Sequence, residues 1–240
     1  MSPPFAAHRV TVVLTPTTGL DDAASRATVL RATAGVLGVA PERLRIRHED
    51  GGRPVLSGLG AGTHLSLSHG RGVAALAVTG LGPVGVDVEI ERPVPAQRLA
   101  DRWFTEDEAD WLRSRGERQR IAAFLWLWTH KEAMGKAYGT GLARGGLARP
   151  APLPGHWPPR SVRHPARLSP LPGRDPMAVA APPAGHRVML AVAALGRWVG
   201  GAPVDVYRVR RGPPPPGGAL GGSRPGGGAV PGAERKGSTP

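Results

Sequence analysis

Val84-Gly85-Val86-Asp87-Val88-Glu89-Ile90 reads as a β-strand, with apolar and polar residues in alternation. Successive side chains leave a strand on opposite sides. Val86, Val88 and Ile90 therefore pack on one face, while Asp87 and Glu89 share the other. Two neighbouring carboxylates repel, and a divalent cation is one reason to set them together; a half-buried strand with a solvated acidic face is the plainer one. Downstream, Glu117 to Tyr138 is the longest helical pattern in the chain, closed by Gly139. It contains Trp128-Thr129-His130-Lys131-Glu132-Ala133-Met134-Gly135-Lys136, which holds two of only three lysines in a chain with 31 basic residues. Lysine is a compact point charge and arginine a fixed fork, so lysine retained here suggests phosphate chemistry. Trp128, Glu132 and Lys136 fall on one helical face, amid Phe124, Leu125, Trp126 and Leu127. So apolar a setting argues against an ordinary surface ion pair, because burying a Glu–Lys pair costs several kcal/mol of desolvation.

Upstream of this strand and helix, His8 to Thr15 reads as a first strand and Asp21 to Leu37 as a helix stopped by Gly38 and Pro41. Leu44 to Arg47 is a short strand, followed by a turn at Glu49 to Gly52. His64 to Ser68 and Val73 to Thr79 form two strands joined by His69-Gly70-Arg71-Gly72. Thr105-Glu106-Asp107-Glu108 has capping-box form and starts a helix to about Arg113. Past Arg149 the chain turns proline-rich, with one convincing strand at Arg187 to Leu195. Strand, helix and strands thus occur once before Thr79 and again from Val84. The expectation is an α+β fold of two similar halves, residues 1–82 and 83–199. A disordered Gly/Pro/Arg-rich tail, residues 200–240, would follow.

With 240 residues the chain can bury a sizeable core. It has no cysteine, which excludes disulfides and thiolate metal sites or nucleophiles. Its apolar runs are shorter than the ~20 residues of a membrane span, and Met1 to Phe5 does not read as a signal peptide. A soluble cytoplasmic protein is expected. The net charge of +13 is compatible with polyanion binding, but no arginine stripe is interleaved with aromatics as a stacking platform would be. His69, after Ser66-Leu67-Ser68 at a strand end, could join Ser68 and the turn amides in holding a phosphate; an exposed hairpin histidine is an equal reading. Arg53, between Gly52 and Pro54, is either a turn arginine or an anion contact.

In order, Gly-Arg-Pro, Leu-Ser-Leu-Ser-His, Gly-Val-Asp-Val-Glu, Trp-Thr-His-Lys-Glu-Ala-x-x-Lys and Gly-x-Gly-Leu resemble the 4'-phosphopantetheinyl transferases. The match is to the larger type that serves secondary-metabolism carrier proteins, and it covers about Ala27 to Leu142. That resemblance implies a monomeric pseudo-dimer of two α/β halves, each a small, mainly antiparallel sheet on a long helix, with coenzyme A between them. It also implies transfer of 4'-phosphopantetheine from coenzyme A to a serine of an apo acyl or peptidyl carrier protein, releasing 3',5'-ADP. The carriers would belong to polyketide, nonribosomal peptide or fatty acid synthases. Asp87, Glu89 and Glu132 would hold Mg²⁺, and Glu132 would take the serine proton directly or through water. Lys136, with Lys131, would meet the pyrophosphate, and Arg53, Ser68 and His69 the adenosine and 3'-phosphate end. Apolar groups around Trp103, Phe104, Trp111 and Leu112 are candidates for carrier docking or for core. A basic nucleic-acid-binding protein and a family member that has lost activity are the alternatives.

Overall fold

β-branched residues fill β1 (Val10–Pro16), whose side chains are buried along nearly its whole length in a computed structural model that describes residues 8–48, 54–143, 145–159, 166–173 and 176–209. α1 (Asp22–Leu37) follows. The Asp21 carboxylate accepts from Ala24 N at 2.7 Å, and Gly38 ends the helix at φ 64°, where a residue without Cβ is unstrained. β2 (Arg45–His48) and β3 (Pro54–Ser57) pair as an antiparallel ribbon. β4 (His64–Gly70) and β5 (Val73–Thr79) form the expected hairpin, and β6 (Val84–Ile90) has the bounds read from its alternation. α2 (Ala96–Trp103) was not anticipated. α3 (Glu106–Arg113) carries the complete capping box: Thr105 Oγ1 accepts from Glu108 N, and Glu108 Oε2 accepts from Thr105 N at 2.9 Å. α4 (Glu117–Tyr138) ends at Gly139 as its sequence implies. β7 (Ala166–Arg167), β8 (Ser169–Pro170), β9 (Met177–Ala180), β10 (Val188–Leu195) and β11 (Pro203–Arg208) complete the order.

The strands make an α+β fold with two main sheets, ordered β4-β5-β1-β11-β7 and β6-β10-β9-β8. Within them β4-β5-β1 and β9-β10-β6 share one plan: the strand that leads into the helices lies antiparallel beside the last strand of a later pair. α1 packs on β1 and β5, and α4 on β6 and β10. A core common to both sheets joins Val10, Val12, Ala75 and Ala77 to Val84, Val86, Val88, Leu190 and Val192. On the outer faces, Val29 and Leu37 of α1 meet Leu65 and Leu76, and Leu127 and Met134 of α4 meet Val179, Ala191 and Ala193.

Two expectations about organisation are corrected. The tail does not begin at residue 200, because Pro203–Arg208 forms β11, parallel to β1, with Val204 fully buried. The division near residue 82 also does not divide the sheets, since β11 and β7 complete the sheet begun by β1. Proline-rich flanks did not prevent β9 from pairing with β10. The turn expected at Glu49 to Gly52, and Arg53 with it, lie outside the described residues. Among the described residues no helix is long and apolar enough to cross a membrane.

Candidate active site

The site begins with a residue that has no side chain. A Cβ built on Gly85 would overlap Ala133 O and stand 2.6 Å from Ala137 N, so the backbones of β6 and α4 touch there. Only glycine permits that approach. The alternation of β6 then carries Asp87 and Glu89 onto the face it presents to α4. Trp128, Glu132 and Lys136, at four-residue steps, are the partly exposed line of an otherwise buried stretch of that helix.

Asp87 is 6% exposed. Its Oδ1 accepts from Ser68 Oγ at 2.7 Å and from Lys136 Nζ at 2.7 Å, and Lys136 also donates to Val86 O at 3.1 Å. Its Oδ2 is buried and has no hydrogen-bond partner among the described residues. Burial pushes the Glu132 carboxyl above its ordinary range, and the charges of Asp87 and Glu89 push it further, against Lys136. Glu89 is raised too, by burial first and then by Asp87, while Arg92, Lys136 and Arg71 pull the other way. Arg92 meets Glu89 at 3.3 Å. Three carboxylates thus share a half-buried space in which Lys136 opposes the rise of both glutamates.

The structure brings together Asp87, Glu89, Glu132 and Lys136, four of the residues singled out in the sequence. The Glu132–Lys136 surface pair is absent among the ion pairs of the described residues; Lys136 reaches across to Asp87 instead. Ser68 is buried and its hydroxyl faces Asp87, so it does not point outward toward a ligand. His69 is exposed at the end of β4. Partial burial lowers its pKa, as do Arg26 and Lys136, against Asp22.

Lys131 requires a correction: it is not at the site. It is fully buried, and its Nζ donates to Leu147 O at 2.7 Å and Arg149 O at 2.6 Å while pairing with Glu108 Oε2 at 2.7 Å. One residue along a helix is a rotation of about 100°, enough to turn Lys131 into the core when Glu132 faces the cleft. Arg92 and Arg71 were missed as site residues. Arg92 lies just past the strand, without a pattern to mark it, whereas Arg71 sat in the turn already singled out.

Of the groups that sequence resemblance attaches to this site, Mg²⁺ fits the residues present. An orphaned, buried carboxylate oxygen is a costly vacancy for a hydrogen bond but a suitable hard ligand. The mutual elevation of Glu89 and Glu132 would also be relieved by a divalent charge. Among the described residues no three His, Asp or Glu side chains form a ready-made cage. Mg²⁺ keeps several waters and needs few protein oxygens, so an open carboxylate face suits it.

Beside the carboxylates opens an apolar cleft of about 390 Å³, lined by Val94, Leu99, Trp103, Phe124 and Trp128, with Arg92 at its edge. Trp103 is 45% exposed, whereas Leu112 is wholly core.

Residues 83–157 match the family model of the 4'-phosphopantetheinyl transferase superfamily. The chain is 36% identical over 124 residues to the 4'-phosphopantetheinyl transferase HetI of Nostoc sp., covering 50% of this chain and 52% of that protein. It is 30% identical over 107 residues to the 4'-phosphopantetheinyl transferase gsp of Aneurinibacillus migulanus, covering 45% and 43%. To the 4'-phosphopantetheinyl transferase psf-1 of Bacillus pumilus it is 34% identical over 104 residues, covering 43% of each. The matches span about half the length of these relatives. The family resemblance read from the motifs agrees with all of these matches.

Proposed function

We propose that this chain, whose residues 83–157 match the family model of the 4'-phosphopantetheinyl transferase superfamily, moves the phosphopantetheine arm of coenzyme A onto a serine of an apo acyl or peptidyl carrier protein. The observation that carries the proposal is the convergence of Asp87 and Glu89 from β6 with Glu132 and Lys136 from α4, around a buried carboxylate oxygen that lacks a partner among the described residues. The serine oxygen bonds to the phosphorus that bears pantetheine. The bond from that phosphorus to the bridging oxygen breaks, and 3',5'-ADP leaves with the electron pair. Glu132 accepts the serine proton directly or through water. Lys136 lies where a point charge can offset the negative charge that develops on the departing pyrophosphate oxygen. Asp87, Glu89 and Glu132 would hold Mg²⁺, which when bound polarises the phosphate and neutralises charge on the leaving group.

His69, near Arg26, suits the 3'-phosphate end, and Arg53 is assigned there on sequence alone. The apolar cleft beside Arg92 suits the uncharged arm and the carrier surface that delivers the serine, with Trp103 at its mouth. The shared plan of β4-β5-β1 and β9-β10-β6 supports a monomeric pseudo-dimer with coenzyme A between its halves. A cytoplasmic enzyme acting on polyketide, nonribosomal peptide or fatty acid synthase carriers is the matching setting.

The test is the intact mass of a purified apo carrier protein after incubation with this chain, coenzyme A and Mg²⁺. A gain of one phosphopantetheine, lost without metal and lost with Glu132→Gln, supports the reading. No gain on acyl and peptidyl carriers, with the chain folded, refutes it.

A further inference from the structure

The two sheets meet along an unusual seam. β4 and β6 are the edge strands of different sheets, yet they lie so close that a Cβ on Gly70 would stand 2.7 Å from Val88 O. Serine hydroxyls do the bonding that backbone carbonyls do elsewhere. Ser66 Oγ accepts from Val86 N at 3.0 Å, and Ser68 Oγ accepts from Val88 N at 3.4 Å. Both serines are buried and share one face of β4. They differ in one respect: Ser68 also donates to Asp87 Oδ1 at 2.7 Å, and Ser66 has no such contact.

A hydroxyl has one proton to donate. In Ser68 the amide of Val88 occupies the acceptor side and thereby aims that proton at Asp87. Lys136 takes the same carboxylate oxygen. With both donors on Oδ1 the carboxylate cannot rotate freely, and Oδ2 is the oxygen left unpartnered.

We infer that Ser68 is a positioning residue: from the first sheet it orients the Asp87 carboxylate of the second so that Oδ2 is presented to a divalent cation. This rests on the reading of Asp87, Glu89 and Glu132 as the Mg²⁺ site. It gives the serine of the Leu-Ser-Leu-Ser-His motif a task other than touching coenzyme A, and it makes metal affinity depend on the seam between sheets. Partners that orient a metal ligand are worth about 10–100-fold in affinity when removed.

Ser66 supplies the control, since both serines hold the seam and only one touches Asp87. Mn²⁺, an electron-spin probe for a Mg²⁺ site, is titrated into the full chain without coenzyme A or carrier, and free Mn²⁺ is read by its resonance. Thermal melts accompany each variant. Ser66→Ala is expected to retain wild-type affinity, Ser68→Ala to lose about 10–100-fold, and Ser68→Thr, which keeps the hydroxyl, to regain most of it. Should Ser68→Ala not fold, Ser68→Cys, with a much weaker donor, makes the same comparison. Equal Mn²⁺ affinity in Ser66→Ala and Ser68→Ala overturns the inference. A wild-type chain that binds no Mn²⁺ overturns it together with the metal site. The expected affinities in a chain that modifies no carrier would leave the positioning role standing while refuting the transferase reading.

Discussion

Replacing Lys131 with Met separates two incompatible roles for that lysine. Its Nζ has three protons, and three oxygens lie within bonding distance: Glu108 Oε2 at 2.7 Å, Leu147 O at 2.7 Å and Arg149 O at 2.6 Å. The ammonium also stands 4.8 Å from the centre of the Phe104 ring. Both charged side chains are at most 1% exposed. Burial lowers the Lys131 pKa despite Glu108, so desolvation outweighs the gain from pairing. Removing one partner is worse than keeping both. Methionine fills the space of the lysine stem but leaves a carboxylate and two carbonyls without their donor. Glu108 would keep only the amides of Thr105 and Ala151, at 2.9 and 2.7 Å.

Breaking such a pair costs about 3–5 kcal/mol. At about 2–4 °C per kcal/mol for a chain of this size, the melting temperature should fall by roughly 6–20 °C. Urea unfolding followed by tryptophan fluorescence, with calorimetry for the melting temperature, measures both. Glu108→Leu combined with Lys131→Met should recover part of the loss, because no charge is then left buried alone. A Lys131→Met chain that melts within about 1 kcal/mol of wild type while binding coenzyme A more weakly would refute this account and return Lys131 to the phosphate.

Gly85→Ala should destabilise by about 1–3 kcal/mol or more, because its Cβ meets the backbone of α4, which cannot rotate aside as a side chain can; a chain with native stability and metal binding would contradict that contact. His130 is buried with its pKa depressed to about 4 by desolvation. From about pH 6.5 down to about 4 the unfolded chain binds a proton that the folded chain refuses, so stability should fall on acidification, by about 3 kcal/mol in full. Equal pH slopes in urea unfolding of wild type and His130→Asn would exclude this. Without metal, burial and the charges of Asp87 and Glu89 should make the Glu132 carboxyl titrate above the ordinary carboxylate range, and Lys136→Met should raise it further as the opposing cation is removed; a Glu132 carboxyl that titrates at the ordinary value by NMR in the metal-free chain would contradict this placement. Truncation after Ala202 should lower the melting temperature, since β1 loses its parallel partner and Val204 its place in the core; an unchanged melt would restore the tail reading for these residues.

Local pattern alone determined the elements that form the site. Alternation gave β6 its bounds and sent Asp87 and Glu89 to one face. The capping box started α3, and Gly139 closed α4 at Tyr138. Such features depend on side-chain direction and backbone hydrogen bonds within a few residues, so a linear sequence displays them. The family motifs rest on the same short spacings, and for that reason Glu132 and Lys136 were legible. Tertiary structure decided what those spacings cannot express. Met177–Ala180 and Pro203–Arg208 have weak strand signals; partners elsewhere in the chain make them strands, β1 lying almost two hundred residues before β11. Lys131 and Lys136 look alike in the sequence, but packing of α4 turns one onto Glu108 and the other onto Asp87. Ser68 is an ordinary strand serine until the seam between two sheets brings Asp87 to it. Where a side chain points is local; what it meets depends on the whole fold.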